Sequence, residues 1–108
     1  MRKHPPNVFG LRLRSARERA CIPQDRLGVM IGIDEGSSSA RISRYETGVH
    51  QPPIEIVEQI ADVLKVPVPY FYCRSDTLSE LLLAVSDFSD DELNRLKKSV
   101  ERLRRSRR

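Results

Sequence analysis

Hydroxyl and guanidinium groups lie close together in one short stretch, residues 37–44, which contains Ser37, Ser39, Arg41, Ser43 and Arg44. A guanidinium presents several N–H donors in a rigid fork and a hydroxyl both donates and accepts, so the stretch suits recognition by hydrogen bonding. Bond-making chemistry is not indicated, because no histidine lies near these serines in sequence. The chain also has no nucleophile elbow, phosphate-binding loop or HExxH motif, so we predict that it is not an enzyme.

The spacing of small and branched residues around this stretch predicts two helices joined by a tight turn. With Gln24 as the first position, the fifth is Gly28, where two crossing helices leave no room for a long side chain. The ninth is Gly32, where the first helix of the pair must stop at positive φ. Ile42 and Tyr45 then anchor the second helix in the core. This register requires four extra residues in the turn, 34–37, and a serine among residues 37–39 is expected to cap the second helix.

These residues, with their flanks, resemble the Xre-like family of helix-turn-helix regulators, to which phage Cro and phage repressors belong. The similarity covers about residues 8–73 and includes LRLRSARERACIPQDRL, ISRYETG and PPIEIVEQIADVLKVP. In the family, an arginine of the first helix meets a glutamate at the end of the recognition helix, and Arg17 and Glu46 occupy those places. Pro23 replaces the usual Ser or Thr cap, Gly28 replaces the commoner Ala, and the turn is longer.

The resemblance implies binding to double-stranded DNA, with the second helix of the motif in the major groove. Arginine can bond guanine bidentately, serine can bond several bases, and an alanine methyl can meet a thymine methyl. Gln24 resembles the family's residue that bonds a backbone phosphate. The resemblance implies an internal ion pair for Arg17 and Glu46. The full set of expected DNA-binding residues is Gln24, Ser38, Ser39, Ala40, Arg41, Ser43, Arg44, His50 and Gln51.

Charge is distributed unevenly along the 108 residues. The formal net charge is +4, but residues 1–20 carry +5, residues 94–108 carry +7 and the stretch between them carries −8. A uniformly basic surface would indicate loose nucleic-acid binding. Here the basic ends flank an acidic middle that contains Arg41 and Arg44. We expect partial phosphate contact from the N-terminal group, and the role of the C-terminal group stays open.

Cysteine and histidine usage indicates neither a metal nor another cofactor. Cys21 and Cys73 lack CxxC or zinc spacing and adjoin apolar residues, so we expect two reduced, buried thiols in a cytoplasmic protein. Nothing fixes a ligand spacing for His4 or His50. The chain shows no signal peptide and no apolar run approaching about 18 residues, so no membrane association is expected.

Local patterns predict an all-α fold. The resemblance implies a five-helix, lambda-repressor-like DNA-binding domain over residues 1–73, including an arm at 1–6, and capping patterns predict two further helices within residues 74–108. Asn7 should cap the first helix, Pro53 should open the fourth, and residues 68–72 should form a short helical or turn segment. Two capping-box patterns, Thr77 with Glu80 and Ser89 with Glu92, should open the C-terminal helices.

The C-terminal helices carry more apolar surface than a small monomer can cover, which predicts a homodimer. In the last helix, leucines and a valine recur at spacings of 3, 4 and 3 residues, a short coiled-coil seam. The expected dimerisation residues are Leu78, Leu81, Leu82, Leu93, Leu96, Val100 and Leu103.

The predicted function is sequence-specific DNA binding by a transcriptional regulator, a repressor more often than an activator, acting as a dimer on a palindromic operator. One alternative is a protein–protein interaction module, in which the same fold serves an antitoxin or adaptor and the C-terminal helices bind a protein partner. A third is nonspecific coating of nucleic acid, driven by the basic ends.

Overall fold

The computed structural model describes residues 7–107, and every regular element in that part of the chain is helical. This confirms the all-α prediction. Within these residues, six α-helices and one 3-10 helix run, in order, α1 Val8–Arg19, α2 Gln24–Met30, α3 Glu35–Thr47, α4 Ile54–Leu64, the 3-10 helix Val68–Tyr72, α5 Asp76–Ala84 and α6 Asp90–Ser106. The predicted arm at residues 1–6 lies outside the described residues.

Capping residues explain where several helices begin. The Asn7 side chain accepts a hydrogen bond from the Gly10 amide at 2.9 Å, as its cap position at α1 predicts. At α6, the Ser89 hydroxyl and the Glu92 carboxylate accept reciprocally from each other's backbone amides, so this capping box is confirmed. The box predicted at Thr77 is wrong. The N-cap residue of α5 is Ser75, two residues before Thr77. The Ser75 hydroxyl accepts a hydrogen bond from the Leu78 amide.

The start of α3 differs from the sequence-based prediction. The helix begins at Glu35, with Asp34 at the N-cap position, so no serine among residues 37–39 caps it. The four extra residues do not lengthen the turn, because three of them form the first turn of the helix. The positive φ predicted for Gly32 is present, at 93°, just after α2. Gly48 ends α3 in a similar conformation, with φ of 83°.

The core lies between α1, α2, α3, α4 and the 3-10 helix. Its members are aliphatic residues and a few aromatics, and the fully buried side chains include Leu13, Leu27, Ile42, Val57, Ile60 and Phe71. Phe71 and Tyr70, both in the 3-10 helix, close one side of the domain, with the Phe71 ring centroid 5.1 Å from that of Phe9. The two cysteines are not part of this core. Cys21 is exposed and Cys73 is half-buried, and both are free thiols, so the expectation of two buried thiols is wrong.

The two C-terminal helices differ in how they relate to this core. Helix α5 packs against it through Leu82 and Leu83, and Asp76 of α5 forms an ion pair with Arg12 of α1 at 3.0 Å. Arg12 also donates to the carbonyl oxygen of Cys73 at 2.9 Å. Helix α6 has no buried residue. Helix α5 is thus attached to the N-terminal helices, whereas α6 is exposed along its length.

Candidate nucleic-acid interface

The crossing of α2 and α3 brings two small residues into direct contact. A Cβ atom added at Gly28 would lie 2.8 Å from the Cβ of Ser38 and would overlap its hydroxyl oxygen. The Ser38 hydroxyl donates a hydrogen bond to the Asp25 carbonyl oxygen, so this buried polar group is satisfied. Glycine is therefore required at residue 28 by the position of Ser38, and the two helices meet at a fixed angle.

One face of α3 is buried in the core, so the opposite face of the helix points to solvent. Ser38 and Ile42 are fully buried and Tyr45 is 5% exposed, at spacings of four and three residues. In an α-helix this spacing keeps the three side chains on a single face. The opposite face therefore carries Ala40 and Arg44, both exposed. Helix α3 is held by its inner face and presents an outer face to solvent.

Most of the residues that were predicted to bind DNA lie on the exposed surface of the protein. Ser39, Ala40, Arg41, Arg44, His50 and Gln51 are exposed, and Ser43 and Gln24 are partly exposed. Ser38 is the exception, because its fully buried hydroxyl bonds the α2 backbone and cannot reach a ligand. The prediction that Ser38 binds DNA is therefore wrong. Because α3 begins at Glu35, Ser38 lies in its second turn, on the buried face.

Two groups of exposed residues on α3 do not belong to the predicted DNA-binding set. The first group is the first helical turn of α3, where Glu35, Gly36 and Ser37 are all exposed. Asp34 gives a signal for it, since aspartate is a preferred N-cap residue. The second is Thr47, which lies four residues beyond Ser43 and is exposed. Its hydroxyl donates to the Arg44 carbonyl oxygen at 3.4 Å.

A buried carboxylate ties the end of α3 to α1 and α2. Glu46 forms a bidentate pair with Arg17, with Nε–Oε2 at 2.6 Å and Nη2–Oε1 at 3.2 Å. The side chains are 12% (Arg17) and 5% (Glu46) exposed. The Gln24 amide nitrogen donates to the same Oε1 atom at 3.0 Å, and its oxygen accepts from the Ser39 hydroxyl at 3.3 Å. The network joins the first helix to both ends of the surface that α3 presents.

The positive charge of this surface comes from two arginines on α3. Neither Arg41 nor Arg44 forms an ion pair with another described residue. Both guanidinium groups therefore keep donors that a ligand can use. The first turn of α3 carries Glu35, which complements the helix dipole but repels phosphate. The basic character is thus greater in the middle of α3 than at its N-terminus.

Two residues after α3 extend the same surface. His50 and Gln51 follow Gly48 and are exposed, and the His50 amide donates to the Arg44 carbonyl oxygen at 3.2 Å. Gly48 lies against the side chain of Asn7, since an added Cβ would be 2.6 Å from Asn7 Nδ2. The connection to α4 is thus held close to the start of α1.

These elements define a helix-turn-helix domain. A short helix and a tight glycine turn lead into a second helix, whose exposed face is polar and carries arginines. A family model described as a helix-turn-helix domain matches residues 8–69. The chain belongs to this family, which confirms the helix-turn-helix prediction. The solved structure of the transcriptional regulator BswR is similar, with 43% sequence identity and a TM-score of 0.80, covering 86% of this chain and 92% of that chain. No curated protein matches the chain. Both similarities support a DNA-binding regulator.

Within residues 7–107, no helix combines the length and the apolar character that crossing a bilayer requires.

Proposed function

We propose that the protein is a sequence-specific DNA-binding transcriptional regulator that reads bases with α3. The observation that carries this proposal is the fixed two-sided arrangement of α3, with Ser38, Ile42 and Tyr45 buried and the arginines exposed. A helix held in this way can enter the major groove without distorting its own domain. The similarity to a transcriptional regulator supports the same conclusion.

Different positions on the surface are assigned different roles. Arg44 and Ser43 would bond base edges, and the Ala40 methyl would meet a thymine methyl. Ser39 and Arg41 lie on the two flanks of this face. Helix periodicity places both closer to the core than Ala40, so they would contact the edges of the groove.

Backbone contacts would come from residues around α3. Gln24, His50 and Gln51 are assigned to phosphates, which position a protein on DNA without reading its sequence. Gln24 would keep its bond to Glu46 while doing so, because its amide group has a second N–H available.

We further propose a two-fold dimer that binds a palindromic operator as a repressor, in the manner of the Xre-like family. A single α3 reads only a few base pairs, so two copies with half-sites about 34 Å apart provide the required specificity. The apolar residues of α6 support a dimer, since four of them are between 38% and 68% exposed.

A protein–protein interaction module is the second candidate function. The same exposed apolar face of α6 favours it, because an adaptor or antitoxin would use such a face to bind a different protein. The two candidates differ in what α3 does, since only the regulator needs the arginines of α3 for binding.

The test is a comparison of affinities over a range of salt concentrations. Sequences selected by the protein from random double-stranded DNA are compared with unselected DNA of equal length. The regulator should bind the selected sequence about 10³-fold more tightly or better at physiological salt. Equal affinities, falling equally with salt, would instead indicate nonspecific coating driven by phosphate contacts. Absence of binding to either DNA would favour the protein–protein module.

A further inference from the structure

Helix α6 has an apolar stripe that its own domain leaves uncovered. Leu93, Leu96, Val100 and Leu103 are 40%, 38%, 46% and 68% exposed, and no residue of α6 is buried. Their spacings of 3, 4 and 3 residues place all four side chains on one face of the helix, as in a coiled-coil seam. A stripe of this kind is suited to a second helix of the same pattern.

The charges of α6 are separated along its axis. The first turn contains Asp90, Asp91 and Glu92, and the last turn contains Arg104 and Arg105. A parallel pair of α6 helices would place like charges side by side at both ends. An antiparallel pair would place the acidic first turn of each helix beside the basic last turn of the other. Opposite charges at adjoining positions stabilise such pairs and fix their orientation.

The register of the apolar stripe agrees with the antiparallel arrangement. When two copies of α6 are opposed about the level of residue 98, Leu93 lies opposite Leu103 of the second copy. In the same register, Leu96 lies opposite Val100 of the second copy. All four stripe residues of each helix are then paired. Lys97 lies beside the stripe and one residue from this level, so the two copies of Lys97 would come close to each other near the centre. The opposite charges at the two ends of the pair offset this like-charge contact.

We infer that α6 pairs in antiparallel fashion with α6 of a second copy, so that a two-fold axis passes near residue 98. The inference rests on the proposed dimer and names the surface that forms it. It also makes α6 the element that sets the distance between the two α3 helices. The basic last turn of α6 is then part of the interface. This gives a role to the basic C-terminal group, which the sequence analysis left open.

Disulfide cross-linking of the full chain, without DNA, tests this orientation. The variants Leu93→Cys and Leu103→Cys are prepared in a Cys21→Ser, Cys73→Ser background, one with an affinity tag, and mixed in equal amounts in a glutathione buffer. The two positions are about 15 Å apart along one helix, too far for a cysteine at either position to reach its own counterpart in an antiparallel pair. The mixed product should exceed each self-linked product by about tenfold or more, equivalent to about 1.4 kcal/mol.

Three results would overturn the inference. Self-linked products at both positions would show a parallel pair. A chain that sediments as a monomer, with no cross-linked product, would show that α6 does not pair. A dimer without cross-links would place the interface elsewhere. The control is Lys98→Cys, which lies on the outer side of the stripe and should not cross-link. Since no DNA is present, failure here with intact operator binding removes only the inference about α6. An intact cross-link without DNA binding removes only the proposed function.

Discussion

The carboxylate of Glu46, near the end of α3, pairs bidentately with the guanidinium of Arg17 on α1, at 2.6 and 3.2 Å. Both side chains are nearly buried, and Gln24 of α2 donates to the same carboxylate. Glu46 therefore connects α3 to both α1 and α2. The orientation of α3 relative to the rest of the protein depends on this connection as well as on the apolar core.

Replacing Glu46 should destabilise the fold. Glu46→Ala leaves Arg17 without its partner in a largely buried position, and we expect a loss of about 3 to 5 kcal/mol in the free energy of unfolding. The control is Glu18→Ala, which removes a carboxylate from the exposed pair with Arg14 and should cost no more than about 0.5 kcal/mol. Urea denaturation of both variants gives the comparison. Equal losses would mean that the buried pair contributes no more than a surface pair.

Two glycines in helices should respond oppositely to alanine. An added Cβ at Gly10 would lie 2.7 Å from the carbonyl carbon of Glu46, whereas no atom of residues 7–107 lies within 4 Å of one at Gly36. Gly10→Ala should therefore destabilise the protein by about 1 to 3 kcal/mol, since α1 must move away from α3. Gly36→Ala should stabilise it by about 0.5 to 1 kcal/mol, because alanine favours the helix. Thermal unfolding measures both. A stable Gly10→Ala variant would contradict the close approach of α1 to α3.

Replacing Gln24 should weaken DNA binding without changing base preference. Gln24→Ala removes the proposed phosphate contact and the bonds to Glu46 and Ser39. We expect a loss of about 1 kcal/mol in stability and a similar loss of affinity on every sequence. Gln59→Ala, an exposed glutamine on α4, is the matched control and should change neither. Binding to a panel of operator variants gives the result. A change in preference at a single base pair would show that Gln24 reads sequence.

Removing α6 should separate assembly from folding. A chain that ends at residue 88 keeps α5, whose Leu82 and Leu83 pack on the core, so it should stay folded. It should be a monomer in sedimentation and should bind operator weakly and without cooperativity, because the proposed interface is lost. A chain that ends at residue 74 also loses the Asp76 partner of Arg12 and should be less stable. If the chain that ends at residue 88 still forms a dimer, the interface lies in the N-terminal helices.

Local rules predicted the parts of the fold that depend on a few neighbouring residues. Gly32 could be placed because a helix that ends at positive φ needs glycine, and Ser89 could be placed because Glu92 completes its capping box. The start of α3 could not be predicted. Asp34 and the serines at residues 37–39 are all suitable caps, and the choice among them depends on how α3 packs against α2.

Tertiary contacts also decided the role of individual side chains. Ser38 is a polar residue in a serine run, yet its contact with Gly28 buries it completely. Leu82 belonged by pattern to the dimer surface, but it packs on its own core beside Leu83, while Leu78 and Leu81 are exposed. No spacing rule distinguishes these leucines, since three consecutive apolar residues cannot all lie on one face of a helix.

The most direct test of base reading by α3 is to select sequences from random DNA with the unaltered protein and with Arg44→Ala. The unaltered protein should yield a two-fold symmetric sequence. Arg44→Ala should lose base preference at one position in each half-site and about 1 to 3 kcal/mol of affinity for that operator, with little change on random DNA. A matched loss on both DNAs, with the selected sequence unchanged, would show that Arg44 contacts phosphate and would contradict base reading by this face of α3.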